Sequence, residues 1–256
     1  MIKNNKTVED TYSTKAIVDS ISSSVQMKQV MVQQTPGRYM LKSMMAGFLL
    51  SIVTVFMFGI KTQFASTHVD GLINLMGAIA FSLGLVLVVL TNSELLTSNF
   101  MYFTVGWYYK VVSLNKMMWI LLYCFLGNIL GGFVLFFLMK YAHVMTPEMT
   151  QALTALVQKK TVDSTWLNIF TKGIFCNFFI NIGIFISMQF KGGLTKAFFI
   201  AGLYAGMVFF NLDAVSWLHV LKNIVFAFLG NFVGGGIFVG LVYAFLNGKR
   251  NRLEQQ

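Results

Sequence analysis

Residues 77–100, GAIAFSLGLVLVVLTNSELLTSNF, decide how the rest of the chain is read. The stretch opens as an apolar helix through Phe81, Leu85 and Leu90. It turns polar over Thr91-Asn92-Ser93-Glu94-Leu95-Leu96-Thr97-Ser98-Asn99, and aromatic apolar sequence resumes at Phe100. Inside a bilayer, irregular polar backbone survives only where protein buries it or where it lines a water-filled cavity. An ionisable residue at that depth points to a functional site. Residues 94–99 are therefore expected to form the waist of a pore; the plainer alternative is a helix end followed by an ordinary loop.

Working outward, the composition sets the class. Hydrophobic residues make up 56% and charged residues 11% of the 256, and apolar runs long enough to span a bilayer recur. That is the signature of an all-α membrane protein. The net charge of +10 does not imply nucleic acid, because the basic residues sit at the ends of apolar segments and form no stripe. Neither Cys124 nor Cys176 has a metal-ligand spacing, and no metal or other cofactor is expected. The first 35 residues are polar or amphipathic, so no cleavable signal peptide is expected.

Residues 13–33 carry apolar side chains at helical spacing (Ile17, Val18, Ile21, Val25, Met27, Val30, Met31). They predict an amphipathic helix lying on the membrane or against partner subunits, ended by Thr35-Pro36-Gly37. Six spans follow: at about residues 39–60, from near 72 to the polar residues at 91, at 117–140 and 166–190, from near 196 with an interruption at 211–213, and at 221–246, with residues 141–165 as the longest polar connection. The expected organisation is an N-terminal segment over residues 1–38, a channel domain over 39–247 and a tail over 248–256. Lys and Arg concentrate before span one, at Lys110 and Lys116, at Lys191 and Lys196, and in the tail. Both termini are therefore expected to be cytoplasmic in a multi-pass protein of the cell membrane.

An internal repeat constrains the topology further. LGNILGG (residues 126–132) recurs as LGNFVGG (229–235), about a hundred residues later. Each copy follows a span interrupted by polar residues, 94–99 in the first half and Asn211-Leu212-Asp213 in the second. Three spans per half give two inverted three-helix repeats, with broken second and fifth helices meeting near the midplane. Most of these glycines read as packing surface. Asn128 and Asn231 are expected to hydrogen-bond the backbone groups that the breaks set free.

The run FSLGLVLVVLTNSELLTSN (residues 81–99) resembles the second-span signature of the formate/nitrite transporter family. GIFCN at residues 173–177 and the two LGNxxGG motifs resemble its fourth, third and sixth spans, so the resemblance covers roughly residues 41–245. It implies a homopentamer of aquaporin-like six-helix protomers in the lipid bilayer, each with its own pore. It also implies passive or proton-linked transport of small monovalent anions or weak acids such as formate and nitrite, and no enzymatic activity. By the same resemblance, Phe81 and Leu85 match an outer hydrophobic constriction and Leu95 and Leu96 an inner one. Thr97 matches a loop threonine facing substrate, Asn177 a fourth-span asparagine, and Lys160 lies near a lysine of the outer mouth. The family's Phe-Glu-His motif of the fifth span is replaced by Phe209-Phe210-Asn211-Leu212-Asp213-Ala214. Asn211, Ala214 and His219 remain open candidates for the central position.

The expected chemistry follows from desolvation. An anion entering an apolar constriction loses several kcal/mol of solvation, whereas its conjugate acid avoids most of that cost. A carboxylate facing the pore would repel such a substrate. Glu94 is therefore expected to turn away and accept hydrogen bonds from backbone amides of the broken helix. The competing reading is a channel for neutral solutes such as water or glycerol, but the Asn-Pro dipeptide of aquaporin loops is absent.

Overall fold

The computed structural model describes residues 14–67, 69–188 and 217–247. Helix α1 spans Thr14–Gln34, α2 Pro36–Gln63, α3 Asp70–Leu90, α4 Leu96–Tyr108 and α5 Leu114–Tyr141. Helices α6 (Pro147–Thr161), α7 (Trp166–Ser187) and α8 (Trp217–Asn231) follow. A wider π-helical segment, Phe232–Leu241, then leads into α9 (Val242–Asn247). Among the described residues five helices are long and apolar enough to cross a membrane: 36–63, 70–90, 114–141, 166–186 and 221–245. The expected fifth span and its interruption at Asn211-Leu212-Asp213 lie outside the described residues.

Local chemistry explains the boundaries. Pro36 stops α1 and starts α2, where its missing N–H costs nothing. The end of α3 is set by Asn92, which adopts the left-handed conformation (φ 51°) that asparagine tolerates. The Asn92 N–H donates to Val89 O (3.2 Å) and the Ser93 N–H to Val88 O (3.0 Å), closing the helix end. Chain direction resumes at Leu96, so the break is confined to residues 91–95. Thr97, Ser98 and Asn99 thus belong to the first turn of α4 and not to a loop. Their polarity reflects a helix start in the protein interior, which an apolar-run reading takes for loop. The polar connection after α5 also contains more order than expected. Thr146 caps α6, accepting from the Met149 N–H at 3.3 Å, with Pro147 in the first turn.

Helix α2 packs against α3 and α5, α7 packs against α8, and α4 lies on the π-helical segment. Helix α1 rests on α4 and α2 of its own chain, burying Ile21 and Val25. The two LGNxxGG motifs serve the same packing role. A Cβ at Gly131 would overlap the Met44 carbonyl of α2, and one at Gly234 would overlap the Ile174 carbonyl of α7. Each glycine lets a backbone approach closer than any side chain allows. Gly131→Ala should therefore force α2 and α5 apart and destabilise by about 1–3 kcal/mol, as overpacking does. Gly37→Ala, which meets nothing within 4 Å, should be neutral. Thermal unfolding in detergent compares the two, and equal midpoints would refute the close-packing role.

Candidate functional site

The break between α3 and α4 is held from three sides. Glu94 is buried, and its carboxylate accepts from the Lys28 ammonium and from the Asn99 side-chain amide (3.1 Å). Lys28 also donates to Asn99 Oδ1 (2.8 Å) and sits 4.9 Å from the centre of the Tyr102 ring. Asn99 Nδ2 further approaches Tyr39 Oη (3.2 Å). Backbone amides were the expected partners for Glu94; the structure supplies a cation and a side-chain amide instead. A buried carboxylate needs a counter-charge more than neutral donors, and α1 brings one from 66 residues away in sequence. The signal available in the sequence was an acidic residue inside an apolar run, which requires a partner. Nothing in the sequence selected Lys28 among the lysines.

The second side is α5. Asn128 Nδ2 donates to Ser43 O and Glu94 O (2.8 Å each), and its Oδ1 accepts from the Leu96 N–H at 3.0 Å. One side chain thus ties together α2, the break and the first amide of α4. Asn231, at the equivalent motif position, donates within its own helix to Ala227 O (2.6 Å). Its Oδ1 is buried with no partner among the described residues.

The third side is α7. Asn181 Nδ2 donates to Thr97 O (3.0 Å), to Asn177 O (2.9 Å) and to Asn177 Oδ1 (2.8 Å). Asn177, fully buried, donates in turn to the Asn231 carbonyl. Thr97 Oγ1 is buried without a hydrogen-bond partner among the described residues. The reason is local. A helical threonine ordinarily bonds a carbonyl three or four residues back, as Thr104 bonds Phe100 O at 2.6 Å. For Thr97 those positions fall in the break, where the Glu94 carbonyl already accepts from Asn128 and from Cys124 Sγ (3.3 Å).

The apolar candidates surround this centre. Leu85 and Leu95 are buried in the same core cluster, and Phe81 and Leu96 pack against it half-buried. A cavity of about 320 Å³ approaches the break from the α1 side, lined by Lys28, Lys42, Asn92, Ser93, Ser98 and Ile184 among others. Lys160 lies near the end of α6, where its carbonyl accepts from Asn223 Nδ2 (2.5 Å) and so ties α6 to α8. Asn211 and Ala214 lie outside the described residues, as does the side chain of His219.

Comparison with known proteins follows the same lines. The sequence matches the family model described as formate/nitrite transporter over residues 15–213. It is 27% identical over 235 residues to the formate channel FocA of Haemophilus influenzae, covering 76% of this chain and 82% of that protein. It is 27% identical over 196 residues to the nitrite transporter NirC of Escherichia coli, covering 69% and 72%. An uncharacterized transporter of Saccharomyces cerevisiae is 24% identical over 172 residues, covering 66% of this chain and only 26% of that longer protein. In fold, the chain is similar to an FNT family ion channel, with a TM-score of 0.78 at 20% identity, covering 91% of this chain and all of that one. It is also similar to a pentameric formate channel with formate bound, with a TM-score of 0.68 at 22% identity, covering 82% and 96%.

Proposed function

Because the chain belongs to the formate/nitrite transporter family, we propose that it carries small monovalent anions or their conjugate acids, with formate and nitrite as the first candidates. The observation that carries this reading is the buried, unpartnered hydroxyl of Thr97 in the first turn of a half-helix. A lone hydroxyl in an apolar setting is costly unless something passes that it can bond. The N-terminus of α4 also directs the positive end of its dipole towards the break, which favours electron-rich solutes.

The chain assembles as a homopentamer in this proposal, which the pentameric neighbour supports, and each protomer has its own pore. The protomer is read as six spans in two inverted repeats over residues 39–247, with residues 1–38 and 248–256 in the cytoplasm. The matching use of Gly131 and Gly234 against neighbouring helices supports the repeat. The charge distribution supports the orientation. Phe81 and Leu85 form one apolar constriction, Leu95 and Leu96 the other, and Lys160 attracts anions at the outer mouth. Asn211 faces Thr97 from the fifth span, Ala214 and His219 being the alternatives. As the anion leaves water its pKa rises, so it crosses with a proton taken from water, and flux is proton-linked. Asn177, in this reading, contributes to the pathway by holding the waist in shape.

Liposome flux tests the reading. The protein should move formate and nitrite faster as external pH falls. Thr97→Val, which keeps the shape and removes the hydroxyl, should lower flux about ten- to hundredfold, the equivalent of a lost hydrogen bond at the barrier. Unchanged flux in an assembled Thr97→Val protein would overturn the role of Thr97.

A further inference from the structure

Asn181 shares the situation of Thr97 and sharpens what the waist can accept. Its side chain is fully buried, and its Oδ1 has no hydrogen-bond partner among the described residues. Its orientation is determined by chemistry. The side-chain nitrogen faces three acceptors, Thr97 O, Asn177 O and Asn177 Oδ1, at 2.8–3.0 Å. Flipping the amide would set oxygen against oxygen three times over. The unpaired atom is therefore an acceptor with no proton to give. A Cβ at Gly235 would overlap both Asn177 Nδ2 and Asn181 Nδ2. A side chain in place of that glycine would thus displace the amides that hold this arrangement.

The place of this acceptor in the fold is equally specific. The cavity on the α1 side reaches Ser98 on α4 and Ile184 on α7. Thr97 precedes Ser98 by one residue, and Asn181 lies three residues, just under one helical turn, before Ile184. The Asn181–Thr97 hydrogen bond joins the two helices at this point. Neither residue lines that cavity; they sit behind its wall, two buried groups on helices joined by one hydrogen bond, one a hydroxyl that can donate or accept and the other an unpaired acceptor only.

We propose that Asn181 is a specificity-determining residue of the waist. The Thr97 hydroxyl donates to the carbonyl or nitroso oxygen of the cargo, and Asn181 Oδ1 accepts from the cargo's acid O–H. This rests on the transport reading above and adds the protonation state of the cargo to it. A weak acid in its neutral form offers one acceptor and one donor, which matches the pair. Its anion offers acceptors only, so one of its oxygens would face Asn181 Oδ1 without a proton between them. A site built to hydrogen-bond a particular group rejects the analogue that lacks it, because the buried polar atom is then left unpaired. Asn181 selects the acid over the anion without itself changing charge.

The test compares nitrite and formate, which can take a proton, with nitrate, which stays anionic, in liposomes bearing wild type, Asn181→Leu or Asn181→Cys. Wild type should pass nitrite and formate and exclude nitrate at every pH. Asn181→Leu should lower nitrite and formate flux about tenfold while nitrate stays at background, so the selectivity ratio collapses. Asn181→Cys, smaller and a weak acceptor, should fall between and covers the case in which the leucine variant does not assemble. Wild-type nitrate flux comparable to nitrite flux would overturn the proposal without any variant. So would an assembled variant that keeps the wild-type ratio, or one whose flux falls only in step with its thermal midpoint, since an amide that only braces α4 acts through stability. Absence of formate and nitrite flux in the wild type would instead refute the transport reading itself.

Discussion

Lys28→Met will destabilise the protein by about 3–5 kcal/mol, the usual result of removing one partner from a buried ion pair. Only 14% of the Lys28 side chain and 5% of the Glu94 side chain is exposed, so water in the adjoining cavity replaces little of the lost ammonium. The methionine fills the aliphatic volume and leaves the carboxylate with the Asn99 amide as its remaining partner. The effect extends beyond the pair, because Asn99 loses its bond to Lys28 and α1 loses an ionic tie to the break. The double variant Lys28→Met with Glu94→Gln should recover most of the loss, since no unpaired charge then remains. Thermal midpoints in detergent, with protease sensitivity of α1 as a second readout, separate the cases. A double variant no more stable than the single one would show that the charge pairing is not what holds the segment.

Asn128→Leu is expected to have the next largest effect. Leucine matches the asparagine in size, but it leaves the Leu96 N–H without its partner and removes the second bond to Ser43 O, a carbonyl inside α2. Glu94 O keeps only the weak Cys124 thiol. Each buried backbone group orphaned in this way costs about 1–3 kcal/mol. The Leu96 amide is the first of α4, so its release also frees the turn that carries Thr97, and formate flux should fall together with stability. Asn231→Leu provides the internal contrast. Its side-chain nitrogen bonds a carbonyl of its own helix, Ala227 O, so among the described contacts its loss should cost less. Equal destabilisation by the two substitutions would contradict the assignment of Asn128 as the clamp of the break.

The sequence by itself determined the features that depend on neighbours along the chain. Apolar runs marked the helices now described as 36–63, 70–90, 114–141, 166–186 and 221–245. Thr91-Asn92-Ser93 marked the end of α3, because a left-handed asparagine and its closing hydrogen bonds involve residues no more than five apart. The paired LGNxxGG motifs announced close helix contacts, since only glycine permits that approach. Tertiary structure alone decided which distant groups meet. Lys28 reads as one positive charge among many until α1 folds back and places it on Glu94. Asn181 reads as one polar residue in an apolar span until Thr97 O, Asn177 O and Asn177 Oδ1 fix its nitrogen and leave its oxygen unpaired. Turn chemistry and helical periodicity act over a few residues and are written in local order. Pairing of buried polar groups depends on which faces of separate helices come to lie together, and no single helix carries that information.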